Sequence, residues 1–313
     1  MTPLAFRARM SRLVAVTTVG TLVALAVPHA LAAQQTIDQR YAVAPDISFR
    51  VKGSIGTLRI VGWAKDSLVI TGSLPPAVRM ELGVGGDGRS PARGAKMYLE
   101  SPNDDAASTG VLEIRVPARA RVWVKCGTAD VEARGMEGGL DIAVIGGRVR
   151  VQSSPRELQI EAMDASVAID GTPAWLRAKT ATGDIALRGG SADLALTTVS
   201  GNIRVEQGAV ERTRLESVTG PIQLLGAIAR GGDVTIDSHS GDIQLVLPRT
   251  GDFALTASSI TGAVENRFDS TRPVPGREGR GAELTLERGS ESARVTARSF
   301  KGTITVSTGA PKR

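Results

Sequence analysis

Residues equipped for covalent or acid–base chemistry are few and far apart. The 313-residue sequence holds one cysteine, Cys126, and two histidines, His29 near the N-terminus and His239. A thiolate nucleophile needs a base beside it, and His239 offers none within the same stretch of chain. Cys126 therefore reads as a small buried hydrophobe, and a single cysteine closes no intramolecular disulfide. Asp184, Asp233 and Asp242 each follow a glycine, where a side chain bonded to the local backbone of a turn accounts for them. Cleaving a polysaccharide takes clustered carboxylates and usually aromatic platforms, yet Trp, Tyr and Phe are dispersed along the chain. No glycine-rich phosphate loop follows a strand and opens a helix. Calcium-binding β-rolls place an aspartate two residues before the apolar position of a nine-residue repeat. Here Asp130, Asp184 and Asp193 directly precede it, and Gly139, Arg148, Glu157, Ser166 and Trp175 stand in the other repeats. The expectation is no catalytic residue, no cofactor and no metal, with His239 as a surface turn residue.

The elements that would carry any site announce themselves by rhythm. From Val122 an apolar residue recurs every nine positions, at Val131, Leu140, Val149, Leu158, Val167, Leu176, Ile185, Leu194 and Ile203. Two residues after each stands a second one: Val124, Ala133, Ile142, Val151, Ile160, Ile169, Ala178, Leu187, Leu196 and Val205. Residues i and i+2 share one face of a strand, so each doublet is a short strand with two inward side chains. Turn formers such as "TG", "SG" and "RGG" separate them. Strands this short stand only by stacking, and two nine-residue halves make an 18-residue coil. The expected fold is all-β: a single-stranded parallel β-solenoid of about 18–21 residues per coil, right-handed by analogy with other parallel β-helices.

Outward positions agree. Trp123, Asp141, Gln159, Arg177 and Ala195 fall on one wall; Glu132, Arg150, Ala168, Ala186 and Arg204 on the other. Asp170, Arg188 and Glu206 would stack as alternating charges on successive rungs. Beyond Val205 the spacing loosens, and Gly201, Gly220, Gly241 and Gly262 lie 19 to 21 residues apart. The expected organisation is a secretory signal over 1–33, an N-terminal extension over 34–45 and a solenoid over 46–308. Within the solenoid, 83–110 and 269–281 read as loop insertions and 283–307 as closing strands. Residues 309–313 form a tail.

The leader reading rests on three segments. "MTPLAFRARMSR" is a basic n-region, "LVAVTTVGTLVALAV" an apolar h-region of 15 residues, and "ALAAQQ" supplies small residues with a cut near Ala33. A membrane span usually needs about 20 residues. No twin arginine is present, and no cysteine sits at the cleavage site to carry a lipid. Arg7, Arg9 and Arg12 supply three of the six net positive charges. A mature chain of about +3 is a poor nucleic-acid binder, and nothing after the signal reads as a transmembrane segment.

The order "GTLRIVGW", "VLEIRVP", serial "[ST]-G-[DN]-I-x-[LV]" phrases, "LPRTGDFALTASSITGAVENRF" and a last "KGTITV" resembles the bacterial putative-adhesin family of β-strand-repeat domains, a domain of unknown function. The resemblance spans about residues 46 to 307. It implies a β-helix-like fold and an envelope or surface location, and it carries over no catalytic residue. Sequence and resemblance together point to a non-enzymatic, exported β-solenoid: an adhesin or a binding or structural protein of the envelope, in the periplasm, on the surface or outside the cell. Its partner would be an envelope polymer or protein. The alternatives are an accessory sensor for an envelope signalling partner and a β-helix polysaccharide-degrading enzyme.

Overall fold

A computed structural model describes residues 34–86, 90–276, 279–290 and 292–309. The leader and its cleavage site lie outside the described residues. Apart from one helical turn at Asp104–Ala107, the regular structure among the described residues is β, in 22 strands. Alternate doublets fall on two parallel walls. On the first, Val122, Leu140, Leu158, Leu176 and Leu194 stand in register. On the second, Val131, Val149, Val167, Ile185 and Ile203 do the same. Every side chain of the twenty doublet positions is at most 2% exposed, and together they form one continuous core. The 18-residue coil follows directly, because each residue pairs with the residue one coil later.

Later coils keep the register at longer spacing: Ile203 meets Ile222 and Ile222 meets Ile243. Two neighbouring rungs carry buried hydroxyls without a hydrogen-bond partner among the described residues, at Thr213, Ser217 and Ser238. Thr213 occupies an inward position opposite Leu194.

The sequence motif [ST]-x-x-G forms one corner of the stack. Its first hydroxyl turns inward at Thr180, Thr198, Ser217, Ser238, Ser259 and Ser299, all buried. Thr198 Oγ1 accepts from the Gly201 N–H at 3.1 Å, and Ser299 Oγ from the Gly302 N–H at 2.8 Å. Ser259 Oγ accepts from the Gly262 N–H at 3.1 Å and donates to the Gly302 carbonyl at 2.9 Å. In these three coils the hydroxyl satisfies a turn amide that no ladder reaches, whereas Ser217 Oγ and Ser238 Oγ are buried without a partner among the described residues. The glycine answers a different need, close approach. A Cβ on Gly201 would strike the Gly183 carbonyl, one on Gly220 that of Gly201, and one on Gly241 that of Gly220.

Both ends depart from the sequence expectation. The stack does not finish with its last residues. Ala293–Ser299 lies between the rung of Val234 and the strand Phe253–Ser259. Ile304–Thr308 lies between Ile243–Leu247 and Val264–Arg267. The C-terminal coil is therefore the penultimate rung, and the antiparallel strand Ala282–Arg288 covers the end. The other end mirrors this. Residues 48–53 are clamped between Arg121–Arg134 and Ala92–Glu100. The expected loop over 83–110 holds strands, Arg79–Gly85 paired antiparallel with Ala92–Glu100, followed by the helical turn. The expected extension over 34–45 belongs to the long strand Gln35–Gly53, which pairs antiparallel with Ser67–Leu74. Residues 269–281 carry one short strand, Val274–Pro275, against the end strand. Both ends are antiparallel where the repeat is parallel, so the outermost strands do not continue the parallel register on which a further coil would stack.

Candidate binding groove

The outward side chains of the first wall line a groove of about 1150 Å³ over the rungs that start at Arg121, Gly139, Glu157 and Trp175. Trp123 and Trp175 both open onto it, with Asp141 and Gln159 between. A shallower hollow of about 390 Å³ adjoins it past Trp123 and adds Tyr98, which is 42% exposed. The three rings run diagonally. Tyr98 pairs across to Lys52 and Lys52 to Lys125, two positions beyond Trp123; Trp175 stands opposite Glu157, two positions before Gln159. With ~4.8 Å per rung and ~3.4 Å per residue, Tyr98 to Trp123 spans ~12 Å and Trp123 to Trp175 ~16 Å. The sequence expectation of dispersed aromatics is corrected here: positions far apart in the chain lie along one line.

Cations dress this line. The Arg50 guanidinium lies over the Trp123 ring, 5.4 Å from its centroid, and that of Arg177 over Trp175 at 4.7 Å, so each ring is held by a cation on one face and keeps the other face for contact. Arg121 pairs with Glu157 at 3.7 Å and Arg93 with Asp46 at 3.9 Å. Arg119 and Arg156 face the groove with no ion pair among the described residues. Across both hollows seven cationic side chains face four carboxylates. Asp141 sits on the groove floor, and burial, helped by the charge of Glu161, raises its pKa above the usual carboxylate range.

The residues singled out for chemistry lie elsewhere. Cys126 is buried, and burial, then the charge of Asp104, pushes its thiol up to about 12. His239 is exposed and stacks on Phe300, centroids 5.1 Å apart and rings 4° from parallel. Asp184 and Asp242 serve the neighbouring rung and not their own turn: their Oδ1 atoms accept from the Asn202 and Thr303 N–H groups, each at 2.8 Å. Asp130 pairs with Arg148 at 2.5 Å, and Asp193 with Arg177 at 2.5 Å and Arg212 at 3.4 Å. The stacked charges are present, with Arg188 at 3.7 Å from Asp170 and 3.1 Å from Glu206. Burial alone would raise Glu206, but the Arg204 and Arg188 guanidinia hold its pKa below the usual range. Among the described residues no three His, Cys, Asp or Glu side chains group as a metal site, and no helix is long and apolar enough to cross a membrane.

The aromatic line carried a signal in the sequence. Trp175 follows Trp123 by 52 residues, three 18-residue coils less two, which puts it three rungs on and one outward position back. Tyr98 gave no such signal, because its rung is out of sequence order.

Two solved structures share extended stretches with this chain. A putative cell adhesion protein from Clostridium sporogenes ATCC 15579 is 10% identical with a TM-score of 0.22, over 88% of this chain and 100% of that one. A putative adhesin from Bacteroides fragilis NCTC 9343 is 11% identical with a TM-score of 0.37, over 89% of this chain and 99% of that one. No curated protein matches the sequence. Residues 109–307 match the Toastrack family, DUF4097. That segment takes in every regular coil, from the nine-residue rhythm to the intercalated last rung, and on it the chain belongs to the Toastrack (DUF4097) family.

Proposed function

We propose that the protein is an exported, non-enzymatic binding protein of the cell envelope that holds an extended polysaccharide along the first wall. The reading has residues 1–33 removed as a secretory signal and the solenoid carried as a rigid body. One observation carries it: Tyr98, Trp123 and Trp175 lie on one diagonal across an open groove with an excess of cations. Flat rings stack on sugar faces, while Arg119 and Arg156 offer donors to hydroxyls or uronate carboxylates. Residues 34–313 titrated with neutral and uronic-acid-bearing polysaccharides, followed by tryptophan fluorescence and calorimetry, should bind the acidic ones more tightly. Trp123→Ala or Trp175→Ala should each weaken binding about tenfold, and affinity should fall as salt rises. Equal affinity of the wild type and both tryptophan variants overturns the groove assignment.

The hydrolase reading has one feature on its side, the raised pKa of Asp141 beside Trp123, which is how a general acid is prepared. Release of reducing ends from a bound polysaccharide, abolished in Asp141→Asn, would replace the binding reading with that one.

A further inference from the structure

Eight large hydrophobic side chains stand out as exposed among the described residues, and six of them form one ridge. These are Ile145, Met163, Val199, Val218, Phe300 and Ile260, 40% to 56% exposed. Each follows the inward residue that closes a first-wall strand, at the outer tip of the corner. Backbone hydrogen bonds link the tips rung to rung: Asp164 N to Ile145 O, Ala181 N to Met163 O, Val199 N to Ala181 O, Thr219 N to Val199 O, Ser240 N to Val218 O, Lys301 N to His239 O and Thr261 N to Phe300 O. Ala181 and His239 complete the line, so it runs over eight rungs, ~34 Å at ~4.8 Å per rung. Solvent does not favour such a stripe on a monomer.

We infer that this ridge is a self-association surface on which a second copy of the chain packs antiparallel, about a two-fold axis between the Val199 and Val218 rungs. The charges flanking the ridge decide partner and register. One flank is the last outward position of each first-wall strand. It reads, in rung order, Lys125, Ala143, Glu161, Lys179, Thr197, Glu216, Asp237, Arg298, Ser258, Glu283. The other flank is the residue after each tip, with Asp164 beside Met163 and Lys301 beside Phe300.

A two-fold axis running along the ridge would make the copies parallel and set one flank against the other. Glu161 would then face the partner's Asp164, and Arg298 the partner's Lys301, like against like. An axis across the ridge sets each flank against itself in reverse. Placed between Val199 and Val218, it pairs Glu161 with the partner's Arg298, Lys179 with the partner's Asp237 and Lys125 with the partner's Glu283. On the other flank Asp164 meets the partner's Lys301. Every facing charge pair is opposite in sign. The tips match as well: Val199 on the partner's Val218, Met163 on the partner's Phe300, Ile145 on the partner's Ile260, and the small Ala181 under the partner's His239. A shift of the axis onto the Val199 rung opposes Glu161 and Asp237; onto the Val218 rung, Lys179 and Arg298. Of the registers that overlap at least five of the eight tips, this one alone is free of like charges. Lys125 and Lys179 also have no ion pair within their own chain among the described residues.

A ridge of this length and about 15 Å wide covers about 500 Å² per copy, below the usual ~800 Å², so the dimer is reversible. Its antiparallel sense turns the two grooves toward opposite ends, which lets the pair hold two polymer chains of opposite direction.

Sedimentation equilibrium of residues 34–313 over a concentration series tests this. The wild type should show a monomer–dimer equilibrium. Val218→Glu should remain monomeric at a concentration at least tenfold higher, with an unchanged melting curve because the site is half exposed. Asp164→Lys or Lys301→Asp alone should weaken the dimer about tenfold, and the two together should restore it. Under oxidised glutathione, a mixture of Met163→Cys and Phe300→Cys chains should give a disulfide-linked pair that neither gives alone, since Met163 lies five rungs from the partner's Met163. A wild type monomeric throughout overturns the proposal and leaves the ridge to another partner. A dimer indifferent to Val218→Glu, or cross-linking of Met163→Cys with itself, refutes the surface or its register.

Discussion

The middle of the molecule and its two ends obey different rules. Between Arg121 and Val205, sequence order is spatial order: every coil stacks on the one before it, in parallel, at a constant step. At each end the chain passes the rung it has just made, reverses, and returns to fill a place further in, with antiparallel strands outermost. A repeat explains how a stack extends and gives no instruction for stopping. Stopping takes segments that break the repeat, and here those segments clamp a coil beneath them.

Truncation tests that contrast most severely. Deleting residues 293–313 removes an interior rung, not a terminal one, and should abolish the cooperative melt outright. A loss comparable to trimming one outer strand would mean that the end coil docks on the rung of Val234 without it. Within the regular coils, Val167→Asp buries an unpaired charge and should cost about 3–5 kcal/mol. Ala168→Asp, on the exposed side of the same strand, should stay within ~0.5 kcal/mol. Thermal melts in which the two are equally mild would break the two-wall description.

The glycines separate middle from end more finely. Gly220→Ala drives a methyl group into the Gly201 carbonyl and should cost about 1–3 kcal/mol. Gly83→Ala, in the end strand where nothing lies within 4 Å of the added carbon, should be neutral or slightly stabilising. One substitution should bring a clear gain. Thr213→Val keeps the shape and removes an unpaired buried hydroxyl, so chemical denaturation should show about 1 kcal/mol of added stability. A loss would mean that water satisfies Thr213 in solution.

What could be read from the sequence follows the same division. Val122 to Val205 was legible because one coil length governs strand, register and burial together. The buried hydroxyls were not. "TVSG" and "SFKG" read as turns, although their first residues, Thr198 and Ser299, point inward to hold the corner amide. At the ends, "KGTITV" resembles every earlier phrase, and nothing local tells Ile304 to settle between Ile243 and Val264. That choice depends on which stack edge remains open once the end strands have paired. The groove was half legible: Trp123 and Trp175 are tied by coil length, whereas Tyr98 arrives through the reordered rung.

The intercalated last coil also bears on how the chain comes off a ribosome. Residues emerge from the N-terminus onward, yet Ala293–Thr308 belongs beneath Phe253–Arg267. Until it appears, the rung of Val234 and Ile243 and the coil above it each keep an open edge, the kind of surface that recruits proteases and stray strands. A prematurely ended chain keeps both edges permanently, while a finished one seals them in a single step.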